Sequence, residues 1–197
     1  MRYGQAMRLS REKVLDGAFA ILDRYGLGDL TMRRLAGELG VQAGGLYWHF
    51  ANKQSLLAAM AERIATGQPP SVARDPEAAR AWADELRAIS SGFHDALLAH
   101  RDGAELVAAG NALHPGSGEP LESMIKLLQG AGLDTAASTA AAGALLHFVI
   151  GHAAELQAHD QLRQLGGLPD DHESIDPGPD FELGLEIFID GVAARLP

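Results

Sequence analysis

Three candidate metal ligands lie close together in the second half of the chain. His152, Glu155 and His159 are three and four residues apart, so on a helix their side chains would share one face. Imidazole and carboxylate groups both bind transition metals. The same spacing is equally typical of a helix whose histidines are hydrogen-bonded within a pocket or an interface. We predict no metal site, and keep an all-α protein that binds a metal or a small molecule as the alternative.

Residue types that could support hydrolysis are also present. Ser90, Ser91 and His94 lie close together in the sequence. However, no nucleophile elbow, phosphate-binding glycine loop or HExxH string accompanies them, and the absence of cysteine excludes a thiol nucleophile. The sequence therefore predicts a protein that is not an enzyme and has no cofactor.

The most informative pattern covers residues 30–53. It predicts a short helix that begins after Thr31, a tight turn at Gly40 and a second short helix over about residues 42–50. Two short helices around a glycine turn form a helix-turn-helix, whose second helix can enter the major groove of DNA. This pattern predicts a protein that recognises double-stranded DNA.

The residues around the second helix determine what it could read. Gln42 suits an adenine edge, Ala43 suits a thymine methyl group, and Arg33 is the predicted guanine contact. Gly44 and Gly45 lack side chains, so the backbone can approach the DNA closely. The predicted phosphate contacts are Tyr47, His49 and Lys53.

Charge and composition divide the chain into three parts. We assign residues 1–9 to a flexible basic arm, 10–66 to the helix-turn-helix domain, and 67–197 to a larger acidic body. Residues 1–66 contain nine Lys and Arg against six Asp and Glu, whereas the remainder contains seven against twenty. Because affinity for DNA depends on charge near the phosphates, the net charge of −10 does not exclude DNA binding.

Helical periodicity and capping residues extend along the chain without any strand pattern, so the predicted fold is all-α. Asp75-Pro76 is expected to start a long helix. Trp48 and Phe50 are expected to pack in the core, because large aromatic side chains are usually buried. The expected N-caps are Ser10, Thr31, Asn52 and Asp134.

The last two long helices have more apolar surface than one subunit needs. Small residues recur at helical spacing after Asp134, and an apolar stripe follows the last helix. We predict that both faces meet those of a second subunit in a four-helix core, the alternative being that they pack within one subunit. The small residues are Ala136, Ala140, Gly143, Ala144 and Gly151, and the stripe is Phe181, Leu185, Phe188, Ile189, Val192 and Leu196.

Residues 135–154 carry no formal charge over the length of a membrane span. They are mostly Ala, Gly, Ser and Thr, which are weakly hydrophobic, and they include two histidines. We interpret the segment as a helix buried among others, and predict a cytoplasmic protein with no membrane contact.

A family resemblance rests on residues 46–49 (LYWH) and 52–53 (NK). Through residues 10–66 the chain resembles the TetR family of bacterial transcription regulators. Residues 93–98 (FHDALL) and 101–104 (RDGA) are similar to the ligand-binding domain of the tetracycline repressor subgroup. The resemblance implies a homodimer that occupies a palindromic operator and releases it when a small-molecule effector enters the body. An activator of the same fold remains the other regulator that the sequence allows.

The resemblance also implies an effector pocket. Phe93, His147 and Glu155 match pocket residues of the tetracycline repressors, and Gly151 belongs to the same matching stretch. Magnesium requires several ligands in near-octahedral placement, and five positions where that subgroup places polar groups for the drug and its metal lack such groups here, so we expect no magnesium–tetracycline ligand. Because these positions make the pocket more apolar, we expect a small, fairly apolar effector. The replacing residues are Pro69, Ile89, Val107, Gly110 and Met124.

Overall fold

The computed structural model of the chain describes residues 9–67, 81–113, 118–167 and 177–197, and over these ranges it contains nine α-helices and no strand. The all-α prediction is therefore confirmed. The predicted basic arm apart from Leu9, the pocket position Pro69 and the helix start at Asp75-Pro76 lie outside the described residues. The helices are α1 (Arg11–Tyr25), α2 (Met32–Glu38), α3 (Ala43–Tyr47), α4 (Lys53–Thr66), α5 (Ala81–Leu98), α6 (Gly103–Leu113), α7 (Leu121–Gly130), α8 (Thr135–Gln164) and α9 (Pro177–Ala193).

Local side-chain chemistry starts four of these helices. Each predicted N-cap accepts a hydrogen bond from the backbone N–H three residues later, at donor–acceptor distances of 2.8 to 3.3 Å. At Asn52 the bond is reciprocal, because the Ser55 hydroxyl accepts from the Asn52 N–H at 3.2 Å. The predictions are confirmed for Ser10, Thr31, Asn52 and Asp134.

The first four helices form a small head around buried apolar side chains that are continuous with the core of the rest of the chain. Leu22, Leu35 and Leu46, from α1, α2 and α3, are fully buried. Burying one leucine side chain contributes about 2 kcal/mol. Helices of seven and five residues, such as α2 and α3, are unstable in isolation, so this packing must hold them in place.

The remaining helices form a larger body around α8, which packs against α5, α6, α7 and α9. Phe93 and Met124 are fully buried between them. Arg87 of α5 binds Glu186 of α9 through two nitrogens, at 2.6 and 3.1 Å, and this carboxylate is the main cause of the raised pKa of Arg87. A bidentate pair of this kind fixes the two helices relative to each other.

Helix α8 is long and apolar enough to cross a membrane, judged by length and composition alone. In the folded chain, 39% of its most apolar window is buried. Leu145, Val149 and Ala153 on that face pack into the body. The burial pattern is that of a core helix with one face covered and one face open.

Candidate nucleic-acid interface and effector cavity

The turn between α2 and α3 sets the angle of the second helix. Gly40 has φ +65°, in the left-handed region that glycine adopts at little cost. The next residue, Val41, donates its N–H to the carbonyl of Ala36 at 2.9 Å and so closes the turn. The chain then enters α3 with Gln42 in an extended conformation at the N-cap.

The first turn of α3 presents a nearly bare backbone to solvent. Gln42, Ala43 and Gly44 are exposed, and Gly45 is half-buried. A Cβ added to Gly44 would meet nothing within 4 Å, so no part of the fold requires glycine there. Leu46, on the opposite side, is fully buried and anchors the helix. This side of α3 is therefore free to approach a groove.

The aromatic residues after α3 divide between surface and core. Tyr47 is 51% exposed and Trp48 is 90% exposed, whereas Phe50 is buried. The N–H groups of His49 and Phe50 both return to the Leu46 carbonyl, and this tight turn directs Phe50 inwards and leaves Trp48 outside. The prediction that Phe50 packs in the core is confirmed, and the prediction for Trp48 is wrong.

The two adjacent arginines of α2 have different surroundings. Arg34 forms an ion pair with Asp29 at 2.8 Å, and its guanidinium lies 4.5 Å from the centre of the Tyr25 ring. Arg33 is exposed on the same helix, in the first turn. Arg33 thus has the more available guanidinium for a ligand. Lys53 is half-buried at the first position of α4, just beyond the exposed aromatic residues.

A cavity of about 600 Å³ separates parts of the head from the body. Helix α4, which leaves the head, packs mainly on α6, and small residues bring the two backbones close together. A Cβ on Gly110 would lie 2.7 Å from the Cβ of Ala61. We name this space the α4–α6 cavity. Its walls include Arg11, Ala58, Ala61, Glu62, Ala65, Val107, Gly110, Asn111 and Glu122.

The structure separates the eight predicted effector residues into three groups. Val107 and Gly110 line the α4–α6 cavity. Phe93 and Met124 are buried in the body, with Ile89 half-buried nearby on α5. The remaining three, His147, Gly151 and Glu155, are exposed on the open face of α8. A single protomer therefore does not gather all eight into one pocket, because residues four apart on α8 point away from its buried face.

The cavity also uses residues that the sequence analysis missed. Arg11, Glu62, Asn111 and Glu122 come from α1, α4, α6 and α7. On α4 the buried stripe of Leu56, Met60 and Ile64 was readable from its spacing, but the polar and small residues beside that stripe look like an ordinary solvated surface. Only the position of α6 turns them into a wall.

The three candidate metal ligands do not converge. His152 forms a hydrogen bond with His94 between ring nitrogens 2.9 Å apart, and Glu155 is exposed. No group of three or more ligating side chains is found within the described ranges. The His94 ring also stacks on Phe181 of α9 at 4.1 Å. Burial, followed by the neighbouring His152, lowers the pKa of His94.

Comparisons with known proteins agree with this geometry. Residues 14–60 match the family model of bacterial regulatory proteins of the tetR family, and residues 75–166 match the tetracyclin repressor-like C-terminal domain. The chain belongs to the TetR family. The class C tetracycline repressor of Escherichia coli is 36% identical over 94% of this chain and 91% of its own length. The chain is thus a ligand-responsive, DNA-binding transcriptional regulator of a family that acts as dimers.

Solved structures of the family superpose over nearly the whole chain. BioQ of Mycobacterium smegmatis has a TM-score of 0.81 and 36% identity, covering 95% of this chain and 99% of its own. A structure of BioQ with its natural double-stranded DNA operator has a TM-score of 0.75 at 37% identity, with the same coverage. A variant of TetR from Acinetobacter baumannii AYE in complex with minocycline has a TM-score of 0.78 at 31% identity, covering 96% of this chain and 99% of its own.

The outer surfaces of α8 and α9 are open in one protomer. The small residues predicted for an interface, including Ala140, Ala144 and Gly151, are exposed on α8. The predicted stripe on α9 is largely buried within the protomer, so that part of the dimer prediction is wrong. A different pair on α9, Leu183 and Ile187, is 61% and 65% exposed. Because α9 is apolar on two sides, it can cover the body with one and meet a second subunit with the other.

Proposed function

We propose that the protein represses transcription as a homodimer on a palindromic operator, and that a small, largely apolar effector releases it from the DNA. The observation that carries this proposal is the open first turn of α3, with its bare backbone, beside the exposed Arg33 and Tyr47. We assign residues 10–66 to DNA binding and residues 67–197 to effector binding and dimerisation. We place the protein in the cytoplasm, where its operator would be.

In this proposal the two α3 helices of the dimer read successive major grooves about 34 Å apart. Gln42 and Ala43 contact base edges, Gly44 and Gly45 allow close approach, and Arg33 binds guanine. The phosphate contacts are Tyr47, His49 and Lys53. The likeness to BioQ, solved with its double-stranded operator, supports this arrangement.

The α4–α6 cavity is our candidate for the effector site. A ligand there would contact α4, which carries the head, and α6, which belongs to the body. A ligand changes the balance between two conformations only if it binds one of them more tightly. An effector that prefers a wider separation of α4 and α6 would therefore tilt the head and weaken operator binding. The other predicted effector residues do not line this cavity. Their positions in the protomer are buried for Phe93 and Met124, half-buried for Ile89, and exposed on α8 for His147, Gly151 and Glu155.

The A. baumannii TetR variant in complex with minocycline is similar in structure, but we do not expect tetracyclines to act on this chain. Val107 and Gly110 offer no polar group to a metal-bound drug. Together with these two residues, Ala58, Ala61 and Ala65 form an apolar part of the cavity wall, and this part favours a largely apolar molecule.

The proposal can be tested with purified protein and a pool of random duplex DNA. We expect selection for a palindromic site, and a gel shift that weakens steeply with salt, because phosphate contacts release counterions. Transcription in vitro from a promoter that carries the site should fall when the protein is added. If transcription rises when the protein is added, the protein is an activator and not a repressor. If the protein retains no duplex DNA at low salt, the proposal that it binds DNA is contradicted.

A further inference from the structure

Another contact joins the head to the body at the turn before α6. Asp102, in the turn before α6, is buried and extends both carboxylate oxygens to other parts of the chain. One oxygen accepts the backbone N–H of Leu27, in the head, at 2.7 Å. The other accepts the side-chain amide of Gln161, near the end of α8. We name these three residues the Asp102 junction.

The backbone around the junction is shaped to deliver this carboxylate. Asp102 has φ +55°, a left-handed conformation that is uncommon for a residue with a side chain. Opposite it, Gly26 has φ +86°, and a Cβ there would lie 2.8 Å from the Asp102 Oδ2 atom. Because two unusual backbone conformations face each other across one hydrogen bond, the approach of head and body is tightly specified here.

A neighbouring glutamine holds the same turn against α8. The Gln157 amide donates to the carbonyls of Leu97 and His100 at 2.9 and 2.8 Å, and its oxygen accepts the N–H of Ala104 at 3.1 Å. The turn that carries Asp102 is thus hydrogen-bonded to α8 through both Gln157 and Gln161. Through Asp102 the same turn is bonded to Leu27, a few residues before α2 begins.

We propose that Gln161 and Asp102 are positioning residues that set the orientation of the head relative to α8, and hence the separation of the two recognition helices in the dimer. This inference rests on the proposed function. Helix α4 attaches the head along one edge, and the turn before α6 attaches it at another, where His100 also pairs with Asp23 at 3.0 Å. The Asp102 junction belongs to this second attachment, and it joins the head to α8, the helix whose open face is offered to the other subunit.

The test compares Gln161→Leu with Gln164→Leu. Both residues line a small polar cavity beside the junction, but Gln164 is exposed and takes no part in the hydrogen bonds to Asp102. Each protein is titrated on the operator selected by the wild type, and on the same operator with one base pair inserted between its half-sites, which moves them apart by about 3.4 Å. The readout is the ratio of the two affinities.

We expect the wild type and Gln164→Leu to discriminate strongly against the lengthened operator. Gln161→Leu should lose about fivefold of that discrimination, which corresponds to a coupling of about 1 kcal/mol. Hydrogen exchange of the Leu27 amide should be faster in Gln161→Leu, because the carboxylate that protects it is no longer held by α8. Gln161→Glu, which places a second carboxylate beside Asp102, should act in the same direction.

An unchanged affinity ratio in both Gln161 variants would overturn the inference while leaving the proposed function intact. Absence of any DNA binding by the wild type would instead refute the proposed function, and this inference with it. A merely structural role would lower the melting temperature and both affinities together, without changing their ratio, and that outcome would also count against positioning.

Discussion

Two of the contacts between the head and the body differ in the chemical character of their residues. Around the α4–α6 cavity the two helices meet through small residues such as Ala61 and Gly110, and charged residues including Arg11, Glu62 and Glu122 complete the walls of a cavity of about 600 Å³. At the Asp102 junction the contact is made by a buried carboxylate with both oxygens bonded. A contact with empty volume can be changed by a ligand, whereas a bonded carboxylate resists displacement because a lost partner leaves a buried polar group unsatisfied. We therefore expect the α4–α6 cavity to respond to an effector. We expect the Asp102 junction to be the fixed point, or pivot, about which the head turns.

The largest effect is expected at the pivot, from Gly26→Ala. This change forces an alanine to φ +86° and brings its Cβ against Asp102, so unfolding in urea should show a loss of about 3 kcal/mol. Gly118→Ala is the matched control: its φ is +95°, but a Cβ there meets nothing within 4 Å. It should lose only about 1 kcal/mol through backbone strain. Equal losses in the two variants would show that the junction is not tightly packed.

A smaller effect is expected on the cavity side, from Gly110→Ala. The added Cβ would lie 2.7 Å from Ala61 and should push α4 away from α6, at a cost of about 2 kcal/mol in unfolding free energy. Because this movement mimics that expected of an effector, operator affinity should fall even where the protein is fully folded. The control is Gly130→Ala, at the end of α7, where a Cβ meets nothing within 4 Å. Unaltered operator binding in folded Gly110→Ala would remove the cavity from the proposed route of signalling.

Substitutions on the DNA-facing surface of the head should leave the α4–α6 contact and the Asp102 junction intact. Arg33→Ala should cost about 1 to 3 kcal/mol on the selected operator and relax specificity at one base pair. Lys53→Ala should weaken binding to all sequences by a similar factor and reduce the slope of affinity against salt by about one. Titrations on operator and random duplex at several salt concentrations separate the two. The same pattern for both variants would contradict the division between base and phosphate contacts.

The smallest effect concerns the interior of the body, where neither contact is involved. His94 has a lowered pKa, so protonation is less favourable in the folded state than in the unfolded chain. Stability should be fully present above the ordinary histidine pKa of about 6.5, and should fall as the pH drops towards the lower folded value. Asp95 partly opposes this shift, since its charge favours the protonated ring. In His94→Phe the decline in melting temperature over this range should be shallower than in the wild type, and an identical decline would show that His94 does not contribute.

The short-range features of the chain were predictable because their causes are local. An N-cap needs only a side chain and a backbone N–H three residues away, and all four predicted caps form. The glycine turn at Gly40 follows from the same kind of reasoning. Trp48 was misplaced because burial of an aromatic residue depends on the direction in which a tight turn leaves the helix, and adjacent aromatic residues carry no signal of that direction.

For a similar reason, the sequence could not predict that the candidate effector residues lie in three separate places. Val107 and Phe93 belong to different helices, and which cavity each one faces depends on how those helices cross. On α9, the buried stripe and the exposed pair of Leu183 and Ile187 are both apolar. Composition therefore could not indicate which side covers the body and which side is offered to a partner.

What the amino-acid sequence determined by itself is the set of helices, the helix-turn-helix in the head and the kind of chemistry its exposed residues offer, since these depend on neighbours within a few positions. What only the tertiary structure decided is which distant groups meet. The bonds of Asp102 to Leu27 and Gln161 span 75 and 59 residues. Contacts over such separations are selected by the packing of the whole chain, because no local preference of either partner favours them over the many alternatives.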